Sequence, residues 1–231
     1  IRQAKQVPVL INYSVGKKRY EKKPDAFDLV LIDKIAQLDI PYWFPSNPIP
    51  KGDKTGEPLR IGITHVHHFY TKRNLWVLGA YCNRVSTRHL FLPSSLAIHI
   101  NKMRRYQPVK QGGTPGLPGT LYLSAISVEL SFFDGAPRKN SSIKRAFEKI
   151  KILSNTISTE DASFIPIDSN AVDYIFTDPP FGGNLMYSEL NFLWESWLKV
   201  FTNNKPEAIE NKVQGKGLPE YQRLMTDCFK E

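Results

Sequence analysis

Asp173-Tyr174-Ile175-Phe176-Thr177-Asp178-Pro179-Pro180-Phe181-Gly182-Gly183 is the stretch on which the reading of this chain turns. Tyr174 to Thr177 are β-prone residues in a short apolar run, the pattern of a buried parallel strand. They lead directly into a carboxylate, two prolines and an aromatic. In open α/β sheets, ligands bind at the carboxyl ends of the strands. Pro179 and Pro180 fix their own φ, hold the preceding residue extended and carry no N–H. Asp178 therefore offers a carboxylate acceptor and Pro179 a carbonyl acceptor on a stiff turn, with the flat ring of Phe181 beside them. Such a set suits a planar group bearing an amino nitrogen. The plain alternative is a turn after a strand, in which Pro and Asp are ordinary residues.

Asp178-Pro179-Pro180-Phe181 resembles motif IV of the S-adenosylmethionine-dependent amino-methyltransferases, which act on adenine N6 or cytosine N4 in DNA. Tyr187 to Leu198 (YSELNFLWESWL) is similar to one bacterial branch of these DNA methylases. The resemblance implies that a flipped base stacks on Phe181, and that its amino group donates to the Asp178 side chain and the Pro179 carbonyl. Flipping is needed because the target nitrogen is out of reach inside the stack. Asp178, Pro179, Pro180 and Phe181 are thus the expected catalytic residues. In the same family an Asp-Ala pair before the catalytic strand reaches the adenine amino group of S-adenosylmethionine. Asp161 and Ala162 stand at that place, although an Asp in a loop is also an ordinary turn cap.

One part of the family pattern is missing. The glycine-rich motif that holds the methionine end of the cofactor is absent, and Gln111 to Gly119 lacks the spacing and context of a phosphate loop. The chain also starts on Ile1 and ends within an apparent helix. These features lead us to expect a fragment that binds cofactor poorly alone and partners with the remainder of its own chain. The expected fold class is α/β. A partial Rossmann-like methyltransferase sheet would occupy residues 141–231, and residues 1–140 would form a mixed, target-recognition-like inserted region. Adenine and cytosine both stay open as targets; the resemblance implies a restriction-modification setting, and any restriction or defence partner stays open. Two rival readings also stand: an RNA guanine-N2 methyltransferase, whose motif IV is similar, and a catalytically dead DNA-binding module.

Charge agrees with a phosphate-facing first half. The 231 residues carry a formal net charge of +9; residues 1–120 hold 19 Lys and Arg against 7 Asp and Glu, whereas residues 121–231 hold 12 against 15. Such asymmetry suits double-stranded DNA as a partner, though it also describes a solubilising surface. Cations with an interleaved aromatic suit a backbone track. Lys17, Lys18, Arg19, Lys22 and Lys23 surround Tyr20 in this way. Lys72 and Arg73 sit at an expected helix start, where they oppose the helix dipole, and so are further phosphate candidates. Arg104 and Arg105 join them, with the alternative that they merely complement a helix C-terminus.

Periodicity and caps predict a strand over 7–15 with a turn at Gly16, then helices over 24–38, 71–85, 94–106, 141–151, 184–201 and 218–231. Further strands are expected over 120–127, 152–157 and 174–177. His65 and His67 share a face only on a strand, and no Cys or carboxylate follows at zinc spacing, so no metal is assigned. Two distant cysteines, Cys82 and Cys228, and the lack of a long apolar run point to a reduced cytoplasmic protein with no membrane partner.

Overall fold

The computed structural model describes residues 6–110, 112–149 and 157–231. It mixes helices with short strands. The described strands form two antiparallel pairs: β1 (Ile11–Val15) with β2 (Lys18–Lys22), and β3 (Arg105–Gln107) with β4 (Gly112–Thr114). The helices are α1 (Ala26–Gln37), α2 (Gly56–Arg60), α3 (Lys72–Cys82), α4 (Phe91–Ala97), α5 (Phe132–Lys149), α6 (Tyr187–Leu198) and α7 (Leu218–Lys230). None of the described helices is long and apolar enough to cross a membrane.

Local chemistry explains the helices that match expectation. At α1 the Asp25 carboxylate accepts from the Asp28 N–H and the Asp28 carboxylate accepts from the Asp25 N–H, both at 3.0 Å. This reciprocal box satisfies two donors that the first turn would otherwise leave orphaned. Thr71 caps α3 by accepting from the Asn74 N–H at 3.3 Å. At α7, Pro219 occupies the first turn and the Glu220 carboxylate accepts from the Gly217 N–H at 2.9 Å.

The core is gathered by α3, α4, α6 and the turn between Val66 and Phe69. Leu75, Leu78, Leu96, Ile100, Phe132, Leu193 and Trp197 pack there with Val66, Phe69 and Tyr70. Trp197 of α6 donates its indole N–H to the Tyr70 hydroxyl at 3.1 Å, and the two rings meet edge to face. Asn74, buried in α3, donates from one amide nitrogen to the carbonyls of Ile100 and Leu130, both at 3.0 Å. One core thus takes side chains from both sides of residue 140.

Several expected elements differ. The helix expected from Ser141 begins nine residues earlier, at Phe132. Ser131 accepts from the Phe133 N–H, and Gly135 lets α5 lie close on Leu96, whose Cδ2 would sit 3.1 Å from an added Cβ. Pro137 removes one donor without ending the helix. Ser141 and Ser142 donate back to the Pro137 and Arg138 carbonyls instead of capping. The helix expected over 94–106 stops at Ala97, and Ser94 and Ser95 bond back to the Phe91 and Leu92 carbonyls. Residues 120–127 make only an isolated bridge, Arg105 with Ser127. The strand expected over 152–157 falls almost wholly outside the described residues.

Residues 174–177 are not a strand. Tyr174, Ile175 and Phe176 are 79%, 75% and 82% exposed, and no described strand pairs with them. The parallel Rossmann-like sheet is likewise not formed by the described residues. β-propensity reflects fit to a pleated, half-buried surface, and needs a neighbouring strand to act. The total accessible surface is 16514 Å². A compact monomer of 26.4 kDa would expose about 10,600 Å². Exposed apolar side chains along residues 157–181 and on α1 are part of that surface.

Candidate functional site

The Asp178–Phe181 corner is braced from one side and open on the other. The Tyr221 hydroxyl of α7 donates to the Pro180 carbonyl at 2.9 Å. Gly182 has φ +51°, and its carbonyl accepts from the Glu210 N–H at 3.1 Å. A side chain there would be strained by the left-handed backbone and would crowd the Glu210 carboxylate, 3.1 Å from an added Cβ. The Asn184 N–H donates to the Phe181 carbonyl and closes the turn. On the open side, Phe181 is 70% exposed and Asp178 is exposed. Among the described residues nothing donates to the Asp178 carboxylate or the Pro179 carbonyl. The Asp178 carboxylate and the Phe181 ring therefore meet solvent, and the half-buried Pro179 between them keeps an unengaged carbonyl.

Asp161 is exposed in a tight turn. One carboxylate oxygen, Oδ1, accepts from both the N–H and the hydroxyl of Ser163, at 3.0 and 2.8 Å. The Ser163 backbone N–H, followed by its hydroxyl, lowers the Asp161 pKa. The second oxygen, Oδ2, accepts from no described donor and is available to an amino group. Ala162 beside it is exposed. The same segment rests on the far end of α7, where the Ile165 N–H donates to Glu231 at 3.0 Å. Burial, then the charges of Asp161 and Asp227, push up the Cys228 thiol. Tyr221 and Glu231 are ten residues apart, so α7 holds the two segments at points separated by about 15 Å.

The candidate cations divide into two groups. Lys22 is bound to Asp25 and Asp28 at 2.9 and 2.7 Å. Lys72 donates to the Ala36 carbonyl at 2.9 Å, and Arg73 is engaged by both oxygens of Glu129. Arg104 is half-buried and donates to the Gly113 carbonyl at 2.6 Å; Arg105 lies on β3 beside it. Lys17, Lys18, Arg19 and Lys23 are exposed at the β1–β2 hairpin, and no described carboxylate pairs with them.

His65, His67 and His68 cluster, with ring centroids 4.3 to 5.5 Å apart. Among the described residues no group of three or more His, Cys, Asp or Glu is placed to hold a metal. The clefts near 530 and 300 Å³ lie elsewhere, one around Asp53, Glu57 and Arg60, the other around Tyr81, Leu92 and Phe133. Sequence reasoning missed Tyr221, because no local signal ties a tyrosine on α7 to a carbonyl 41 residues away. No family model, no curated protein and no solved structure matches this chain.

Proposed function

We propose that this chain carries the nucleobase corner of an S-adenosylmethionine-dependent methyltransferase acting on the exocyclic amino nitrogen of a flipped adenine or cytosine in DNA. The observation that carries this reading is the pair of unengaged acceptors, the exposed Asp178 carboxylate and the carbonyl of the half-buried Pro179, next in sequence to the exposed Phe181 ring. The motif they form, and the YSELNFLWESWL helix after it, supply the resemblance. In a Rossmann-like sheet residues 174–177 would be a strand; here Tyr174, Ile175 and Phe176 are exposed and pair with no described strand.

The amino lone pair of adenine or cytosine is delocalised into the ring. Acceptance of its N–H donors by Asp178 and the Pro179 carbonyl favours a pyramidal nitrogen with an available lone pair. That lone pair would form the new N–C bond as the methyl donor's S–CH3 bond breaks and its electron pair stays on sulfur as a neutral thioether, while one N–H proton passes to Asp178 or solvent. When bound, S-adenosylmethionine supplies the methyl group from its sulfonium. Asp161, through its free oxygen, and Ala162 are the residues that would hold the cofactor's adenine end. Positioning carries most of the rate in such a scheme, so Asp178 acts chiefly as an orienting acceptor. The reading places the protein in the cytoplasm with duplex DNA as its partner.

Binding tests this without requiring turnover. A mispaired adenine is cheaper to extrude than a paired one. The chain is expected to prefer a duplex holding a mispaired adenine over the matched duplex, and Phe181→Ala to weaken that binding by about 1–3 kcal/mol. Equal affinity of the parent, Phe181→Ala and Asp178→Ala for both duplexes overturns the proposal.

A further inference from the structure

The β1–β2 hairpin is a projecting arm. Its strands pack chiefly on each other, and residues 12 to 20 are exposed on both faces. An isolated two-stranded ribbon is marginal in water, so something local must hold it. Tyr13 and Tyr20 are cross-strand partners with their rings stacked 5.5 Å apart, and Lys18 lies over the Tyr20 ring. At the base, Lys22 ties β2 to Asp25 and Asp28 at the start of α1.

The pairing register sorts the side chains. Ile11, Tyr13 and Val15 share one face with Lys18, Tyr20 and Lys22; Asn12 and Ser14 share the other with Arg19 and Glu21. Asn12 donates to Glu21 at 3.1 Å across that second face, which leaves Arg19 as its uncommitted cation. Gly16, with φ +59°, makes the tip, and Lys17 follows it. One face is therefore structural, the other presents Arg19, and Lys17, Lys18 and Lys23 lie at the tip and base.

We infer that this hairpin is a β-ribbon that enters the major groove of duplex DNA, with Arg19 directed at base edges and Lys17, Lys18 and Lys23 at the flanking phosphates. Five strand residues project roughly 17 Å, and a two-stranded ribbon matches a groove about 12 Å wide and 8.5 Å deep. Exposed Lys17, Arg19 and Lys23, with Lys18 over the Tyr20 ring, argue against an apolar sheet edge as the occupant. The deep, narrow major groove of duplex RNA excludes the ribbon. The Tyr pair is spent on holding the arm together, which argues against a single-strand stacking platform. Arginine is the side chain most often used to read guanine, by a bidentate contact. The inference rests on the DNA reading above and adds to it the element that enters the groove and the residue that reads it.

The test is fluorescence anisotropy with a duplex of about 20 base pairs over roughly 50 to 200 mM salt, where each lost phosphate contact lowers the salt slope by about 0.9. The combined variant Lys17→Gln, Lys18→Gln, Lys23→Gln is expected to lose about 2 to 3 from that slope and at least tenfold in affinity. Lys144→Gln on α5 should change neither. Arg19→Ala is expected to lose a guanine preference that the parent shows in selection from a random duplex pool. Unchanged slope and affinity in the triple variant, unchanged selection in Arg19→Ala, or equal use of the arm on duplex RNA each overturn the inference. If Phe181→Ala still weakens binding in that case, the corner reading survives. If only the ribbon variants weaken binding, the arm stands and the corner reading falls. Absence of any duplex binding by the parent overturns both.

Discussion

The Glu189 carboxylate occupies the space that a side chain on residue 52 would need: a Cβ added to Gly52 would lie 2.2 Å from Glu189 Cδ. Glu189 is 4% exposed and sits in the first turn of α6. It accepts from the Asp53 and Lys54 N–H groups at 3.1 and 2.7 Å and from the Asn211 amide at 2.8 Å. This one carboxylate joins the 52–54 loop, α6 and the 211–216 turn. Gly52→Ala should displace it from all three donors. A carboxyl end is flexible enough to move, so the cost is the lost bonds rather than a rigid clash, about 2–4 kcal/mol. Glu189→Gln retains the shape but turns a donor toward a donor on one side, and should cost about 1–3 kcal/mol. Urea denaturation midpoints check both, and an unchanged midpoint for Gly52→Ala would show that the carboxylate has another place to go.

Tyr70→Phe should destabilise the fold by about 1–3 kcal/mol, because it leaves the buried Trp197 indole N–H without its acceptor. Tyr70→Phe combined with Trp197→Phe should cost less than the sum of the single changes, since the second removes the orphaned donor. Thermal denaturation of the double-mutant cycle measures the coupling; strict additivity would count against the hydrogen bond.

Stability should fall as pH drops below neutrality. Burial, then the charges of His68, His65 and Lys102, lowers His67 to about 4, and burial lowers His68. The unfolded chain binds these protons near pH 6.5, before the folded chain does. Their contribution is therefore fully present above about pH 6.5 and is lost progressively down to about pH 4. His67 is only half-buried, so solvent screening holds the effect to the order of 1 kcal/mol. His67→Gln should flatten the profile of denaturation midpoint between pH 7 and pH 4; an equally steep profile would assign the loss to other groups.

Tyr221→Phe should loosen the corner while leaving the fold intact. The hydroxyl bond to Pro180 is partly solvent-exposed, so its removal should cost about 0.5–1.5 kcal/mol. Hydrogen exchange should quicken at the amides of Asn184 and Glu210, which close the turn after Phe181, with little change at Leu78 in the core. Exchange that is unchanged at those amides would mean that Gly182 and Glu210 hold the corner without α7.

Elements set by neighbours in the chain were legible in the residue string. The starts of α1, α3 and α7 and the Gly16 turn each depend on contacts within three or four positions. The backbone restriction at Pro179 and Pro180 is legible too, because proline restricts its own φ wherever it stands. The start of α5 escaped, since Gly135 and Pro137 look like breakers until Leu96 is seen to need a close neighbour. Tertiary packing alone decided that Trp197 meets Tyr70, that Glu189 seals the 52–54 loop, and that Tyr221 props Pro180. Those partners lie 41 to 136 residues apart, and no local pattern encodes which distant donor a carboxylate or carbonyl will meet. Packing likewise decided the state of Tyr174, Ile175 and Phe176. Their β-propensity is written in the residues, but a strand exists only where another backbone supplies the ladder.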